Sequence, residues 1–366
     1  MELLLIILVI VLAFANGAND VSKGIATLVG TGVSSHERAV VWGTIWTVAG
    51  GLVAAVAAQG LVRTFNGSGL LVALPEGHAF LAAVAVGAIG WLIFASVTGL
   101  PVSTTHAITG ALVGAGVVAV GLSGLKWNAV ASKAALPLAL SPLLSLSLLW
   151  LLFPLIHRCV APLNGFCVCV RDNAPAIVRV DDTACATAVD APTNSVMVGT
   201  REGCASPAVS SRLFVMDGMH WLSAAMTNFA RGLNDAPKIL AIGIAAGAVA
   251  GLSGAAFYVL VAVAMGVGSL VAGFRVTETL ARKVTPMDHT EGFAANAITS
   301  ALVGAASAMA LPVSTTHVSS SAIIGIGLRN GGRNVRWKTV REMLMAWVVT
   351  IPVAALLAAG TYWLLK

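Results

Sequence analysis

The sequence predicts an all-α polytopic membrane protein made of two inverted-topology repeats, whose broken or re-entrant helices meet at the bilayer midplane. Three observations predict it. Hydrophobic residues make up 58% of the 366-residue chain and charged residues 10%, whereas a soluble domain carries about a quarter charged residues; mean hydropathy is +0.91. The heptapeptide Leu-Pro-Val-Ser-Thr-Thr-His occurs twice, at 100–106 and 311–317, and a second duplicated segment precedes each copy at nearly the same distance: residues 14–23 (FANGANDVSK) align with residues 229–238 (FARGLNDAPK). Finally, the corresponding loops of the two halves carry very different amounts of basic charge.

In chain order, hydrophobic stretches A to F occupy residues 2–16, 21–32, 39–62, 79–98, 104–122 and 128–156, and A′ to F′ occupy 213–230, 236–252, 255–274, 292–310, 316–328 and 340–364. Stretch A carries only Glu2 and no basic leader, so it reads as a retained helix, not a cleaved signal. C, D, F, C′ and F′ are long enough to cross about 30 Å of hydrocarbon, which takes about 20 residues. Several others are too short. A with B and D with E meet at the duplicated polar motifs, and we read those junctions as broken helices or re-entrant hairpins. The many glycines near Ala or Ser suit helices whose backbones approach closely.

The C′–D′ and E′–F′ loops hold Arg275, Arg282, Lys283, Arg329, Arg333, Arg336, Lys338 and Arg341, against only Arg63 and Lys126 in the equivalent first-half loops. Basic loops face the cytoplasm, so equivalent loops face opposite sides and the repeats are inverted. An odd number of crossings per half follows if A and B together cross once. The expected arrangement is a multi-pass protein of the cell (inner) membrane with external termini. The net charge of +6 then reflects orientation in a lipid bilayer, and nucleic-acid binding is excluded.

Three segments result: a first transmembrane repeat, 1–156; a polar stretch, 157–211, placed in the cytoplasm by Arg158, Arg171, Arg179 and Arg201; and a second repeat, 212–366. The middle segment reads as a flexible linker with too few aromatic residues for a core of its own. All five cysteines (Cys159, Cys167, Cys169, Cys185 and Cys204) lie there. Cys167-x-Cys169 with His157 nearby raises a metal site, but the spacing fits no common zinc pattern, and the cysteines read as ordinary thiols in a reduced compartment.

The duplicated polar motifs carry the chemistry. Pro101 and Pro312 forbid a continuous helix. Ser103, Thr104 and Thr105, like Ser314, Thr315 and Thr316, then stand where a new helix begins. N-cap hydroxyls, free amides and the positive end of a helix dipole together make a cradle for an anion. The bland reading is that these hydroxyls only cap a kinked helix. His106 and His317 follow each cradle; satisfied core donors and proton-handling groups are both open readings. Asn19-Asp20 and Asn234-Asp235 place carboxylates where hydrocarbon surrounds them, so each must meet a cation. Lys23 and Lys238, at i+3, supply one internally; a bound Na⁺ held by Asp20 and Asp235 with the asparagines is the compatible alternative. Thr47 and Asn296 are further cation-ligand or interhelical hydrogen-bond candidates, while Asp288 and Glu291 read as solvated loop charges. Such motifs at a repeat junction fit a secondary transporter.

At these motifs the chain resembles the inorganic phosphate transporter (PiT-type, phosphate permease) family. The resemblance rests on Gly17–Gly24, Gly232–Lys238 and both heptapeptides, with Thr285-Pro286 leading into Gly292-Phe293, and it spans both halves. It implies an inverted repeat with external termini that carries inorganic phosphate together with Na⁺ or H⁺. It also implies that Asp20 and Asp235 serve the coupling cation and that Ser103–Thr105 and Ser314–Thr316 are phosphate ligands. No organic cofactor and no enzymatic activity are implied, and a homodimer is compatible. Many relatives carry glutamates where Thr47 and Asn296 align, a departure that bears on the number and identity of coupled cations. Rival readings are a sulfate or other oxyanion permease of the same fold, disfavoured because sulfate has no proton to share with a carboxylate, and a cation exchanger, disfavoured by the lysines and hydroxyl cradles.

Overall fold

The computed structural model describes residues 2–366 apart from 76, 173–175, 181–185, 190–193, 201 and 206–208. Helices α1 (Glu2–Asp20), α2 (Ser22–Gly30), α3 (His36–Ala57), α4 (Gln59–Phe65), α5 (Ala79–Thr98) and α6 (Thr104–Val120) form the first part of the chain. A short α7 (Trp127–Ala129) runs through a π-turn, Val130–Ala135, into α8 (Leu136–Val160). After the polar segment come α9 (Val215–Val249), α10 (Gly254–Ala272), α11 (Phe274–Arg282), α12 (His289–Ala308), α13 (Thr315–Arg329) and α14 (Trp337–Leu365). Among the described residues, six helical stretches are long and apolar enough to cross a membrane. Apolar side chains such as Val56, Leu151 and Leu356 point outward from them, as a lipid-facing surface requires.

The expectation of a break at A–B and A′–B′ is corrected. Val21 alone separates α1 from α2, and its own backbone is helical (φ −57°, ψ −32°), while α9 runs unbroken through Asn234-Asp235 and Pro237. A backbone pairs its own polar groups most cheaply as helix when water is absent. The polar side chains of the motif are satisfied sideways instead. Asn19 Nδ2 donates to Leu100 O at 3.0 Å and Asn234 Nδ2 to Val313 O at 3.2 Å, so each asparagine serves the broken backbone of the heptapeptide beside it.

The two halves interlock by exchange. α1 packs against α10 and α9 against α3; α14 closes over α5 and α6, and α8 over α12 and α13. Gly17 and Gly232 are equivalent positions at the first two crossings. A methyl group at Gly17 would strike the Met265 carbonyl, and one at Gly232 the Thr47 carbonyl, so the helices touch backbone to backbone.

The polar segment is not a featureless linker. Strand β1 (Phe166–Asp172) pairs antiparallel with β4 (Asn194–Thr200) on one side and β5 (Val209–Phe214) on the other, and β2 (Ala176–Val180) pairs with β3 (Ala186–Val189). The short apolar runs Phe-Cys-Val-Cys-Val and Val-Met-Val supply strand-forming segments, and buried Cys167, Cys169 and Cys204, with Val209 and Phe214 packed against them, make a small core. Cys167 and Cys204 are joined by a disulfide, which corrects the reading of all five cysteines as reduced thiols; Cys159 and Cys169 are free, and Cys185 lies outside the described residues. The expectation of solvated charge holds at Asp288, which is exposed, and is corrected at Glu291. Asp288 caps α12, its side chain accepting from Glu291 N at 2.8 Å; Glu291 is buried and accepts from Asp288 N at 2.8 Å and from Asn330 Nδ2 at 2.7 Å.

Candidate functional site

Both heptapeptides break the helix, as their prolines predict. In the first, Gly99 ends α5 in a left-handed conformation (φ 76°) and Leu100 N bonds back to Ala95 O at 2.8 Å. The chain stays extended to Ser103, whose Oγ accepts from His106 N at 3.2 Å and caps α6. The second copy repeats each step. Ala310 turns left-handed (φ 54°), Leu311 N reaches Ala306 O at 2.9 Å, and Ser314 Oγ accepts from His317 N at 3.1 Å to cap α13.

The two copies meet in reciprocal fashion. Thr105 Oγ1 donates to Val313 O at 3.2 Å, and its counterpart Thr316 Oγ1 donates to Val102 O at 2.7 Å. Immediately beyond, the His106 and His317 rings pack at 4.4 Å between centroids, with Trp347 covering His317 at 4.0 Å. His106 Nδ1 and His317 Nε2 have no hydrogen-bond partner among the described residues. The histidines thus lie against each other, and among the described residues neither touches a carboxylate.

The carboxylates of both repeats converge on the same point. Asn16 Nδ2 lies 3.2 Å from Asp20 Oδ2, 3.3 Å from Asp235 Oδ2 and 2.9 Å from Thr104 Oγ1. Lys23 Nζ contacts Asp20 Oδ1, Asn19 O and Asn19 Oδ1, each at 2.7 Å. Lys238 Nζ is farther from its own acid, 3.4 Å from Asp235 Oδ1, and reaches across the repeat boundary to Thr105 Oγ1 at 2.7 Å and Val313 O at 3.0 Å. Asp20, Asp235, Lys23 and Lys238 are all buried. Charges in such a place are costly unless paired, so each lysine–aspartate pair is the minimum its own presence demands.

Ser103, Thr104, Thr105, Ser314 and Thr316 are therefore brought together with Asn19, Asp20, Lys23, Asn234, Asp235 and Lys238. Thr315, the counterpart of Thr104, is buried and makes no hydrogen bond among the described residues. Thr47 joins the network only through a third cation, accepting from Arg231 Nη2 at 2.6 Å. Asn296 stands apart, donating to Gly24 O at 3.1 Å and so fastening α12 to α2. Asn16 and Arg231 are the residues that sequence reasoning left without a role. The signal was present: they are aligned partners in the duplicated segment, and they are different residues.

A polytopic helical protein with a buried, charge-paired site at the junction of two interlocked halves belongs to the class of membrane transporters. The chain is a member of the phosphate transporter family, whose family model matches residues 16–358. It is 30% identical to inorganic phosphate transporter 2-1, chloroplastic, of Arabidopsis thaliana, over 96% of this chain and 70% of that one. It is 26% identical to a Bacillus subtilis protein named "probable low-affinity inorganic phosphate transporter", over 100% of this chain and 97% of that one. The fold matches that of a solved structure titled "The sodium-dependent phosphate transporter" with a TM-score of 0.77 at 21% identity, covering 100% of this chain and 98% of the other. The chain is an integral membrane phosphate transporter, not an enzyme.

Proposed function

We propose that the chain takes up inorganic phosphate by symport with Na⁺ or H⁺, by alternating access between two inverted repeats. The observation that carries this reading is the meeting of Asp20 and Asp235, one from each repeat, at a single amide beside both heptapeptide helix starts. Ser103 and Ser314 accept amide bonds through their oxygens and keep a hydroxyl hydrogen to donate. Thr105 and Thr316 donate to carbonyls of the opposite repeat, bonds that phosphate oxygens would replace when the halves part. With Lys238, these donors come from both sides of one tetrahedral ion. Inorganic phosphate near neutral pH still carries a proton and can donate it to a buried carboxylate; sulfate cannot.

Three acceptor oxygens surround the Asn16 amide nitrogen, which has only two hydrogens. A surplus of oxygen ligands suits a hard cation, and the sodium dependence named for the solved neighbour favours Na⁺ there. The charge asymmetry of the loops supports external termini in the cell membrane, whereas the Cys167–Cys204 disulfide weighs against a reducing compartment for the sheet segment. The test is radiolabelled phosphate uptake into proteoliposomes, with Na⁺ and pH gradients imposed separately and sulfate or arsenate added as competitors. Gradient-driven uptake blocked by arsenate and not by sulfate is expected. Uptake indifferent to both gradients rejects symport, and equal competition by sulfate rejects the substrate.

A further inference from the structure

Arg231 is fully buried, yet among the described residues its guanidinium meets no carboxylate directly. Nη2 donates to Thr47 Oγ1 at 2.6 Å and Nη1 to Asn16 Oδ1 at 3.4 Å, while Nε has no partner among the described residues. Thr47 passes its own proton to Gly43 O at 2.7 Å, so it offers the guanidinium a neutral oxygen and no charge. A buried cation held only by neutral oxygens costs several kcal/mol relative to one that is ion-paired. Such a cost persists where the charge itself is used.

The internal repeat says what for. Asn16 and Arg231 occupy equivalent places, and the amide of Asn16 is where acceptor oxygens from Asp20, Asp235 and Thr104 crowd together. Its counterpart in the second half is an arginine, whose guanidinium lies beside the same network, on Asn16 Oδ1 and Thr47 Oγ1. Asp20 is already matched by Lys23 and Asp235 by Lys238, so Arg231 is the one positive charge in excess in this network. Building on the symport reading above, we infer that Arg231 is a tethered stand-in for a coupling cation: the chain carries phosphate with one mobile cation fewer than the same site would need with asparagine at 231. The first half keeps the position for a mobile ion, and the second half has its ion covalently attached.

The experiment compares the wild-type protein, Arg231→Asn and Arg231→Lys, each purified full-length in nanodiscs. Binding of inorganic phosphate is measured across a Na⁺ series at fixed pH, and proton uptake on binding is measured in weak buffer. The slope of log Kd against log [Na⁺], together with the protons taken up, counts the cations that accompany phosphate. Arg231→Asn is expected to take up about one more cation per phosphate than wild type, and Arg231→Lys the same number as wild type. An unchanged count in Arg231→Asn overturns the inference. So does loss of phosphate binding in Arg231→Asn at every Na⁺ concentration, because the guanidinium is then a direct anion ligand. Failure of the wild type itself to bind phosphate defeats the symport reading instead, and is told apart because it precedes any comparison of variants.

Discussion

Asn16 and Arg231 hold the same place in the two repeats, and around them equivalent residues take different partners. In the first half, Thr104 is drawn to Asn16 and Asp20, and Lys23 stays with its own aspartate and asparagine. In the second half, Arg231 turns toward Thr47, Thr315 is left without a partner among the described residues, and Lys238 crosses to Thr105 and Val313 of the heptapeptides. The backbone breaks, serine caps and threonine clasps are the same in both. The duplicated geometry therefore builds the cradle, and single-residue divergence within it distributes the charge. On the symport reading proposed above, such divergence lets one half specialise for a mobile ion without disturbing the helix ends proposed to hold phosphate.

The largest expected effect breaks the comparison at its charged centre. Asp20→Asn and Asp235→Asn each remove a carboxylate from beside a buried lysine, and coupled phosphate uptake in proteoliposomes is expected to fall to background in both while membrane insertion persists. Stability separates them. Both lysines keep two neutral acceptors, Lys23 the two oxygens of Asn19 and Lys238 Thr105 and the Val313 carbonyl, but Lys23 loses an ion pair of 2.7 Å and Lys238 a longer one of 3.4 Å. Breaking a buried pair costs at most about 3–5 kcal/mol, and the shorter pair costs more, so Asp20→Asn should melt below Asp235→Asn in detergent. Wild-type uptake in either variant removes that acid from the site.

A smaller effect sharpens the comparison at the clasp. Thr316→Val loses one hydrogen bond, to Val102 O, worth about 1 kcal/mol net. Thr105→Val loses its bond to Val313 O and also the oxygen that accepts from Lys238, leaving a charged donor poorly satisfied at about 1.5–3 kcal/mol. Thr105→Val is expected to raise the KM for phosphate several-fold more than Thr316→Val, read from initial uptake rates. Equal effects mean that the lysine does not depend on the threonine.

Much of this arrangement is legible in the sequence, and unevenly so. Proline alone does not mark the heptapeptide breaks, since Pro142, Pro154, Pro237 and Pro352 sit inside continuous helices. The breaks are readable because each heptapeptide proline is followed, after one valine, by a serine that caps a new helix and two threonines that begin it. The same logic misleads at Asn19-Asp20 and Asn234-Asp235, where helix-breaking residues sit inside helices since their side chains find lateral partners that no one-dimensional pattern displays. The sheet in the polar segment escapes notice because its core is three cysteines with only Val209 and Phe214 packed against them; the short apolar runs at 166–170 and 196–198 are the readable sign. Arg231 stands in plain view in the duplicated segment. Its importance emerges only when the position is compared with Asn16 and the arginine is found buried without an acid.

The smallest expected effect lies where the two breaks differ by one methyl group. Gly99 and Ala310 are counterparts, and both backbones are left-handed, with φ of 76° and 54°. An L-residue with a Cβ pays about 1–2 kcal/mol in that conformation, a strain the first half avoids by using glycine. Ala310→Gly removes it but returns about 0.4–1 kcal/mol through the greater freedom of glycine in the unfolded chain. The net gain is about 0.5 kcal/mol, a rise of roughly half a degree to one degree in melting temperature for a protein of this size. Gly99→Ala runs the other way, and its new methyl would also press on the Arg275 carbonyl at 3.3 Å. Melting both variants beside wild type in one detergent measures whether the second break is held under strain. A lower melting temperature for Ala310→Gly would mean that the alanine methyl, which faces Gly60 of α4, contributes more by packing than it costs by conformation.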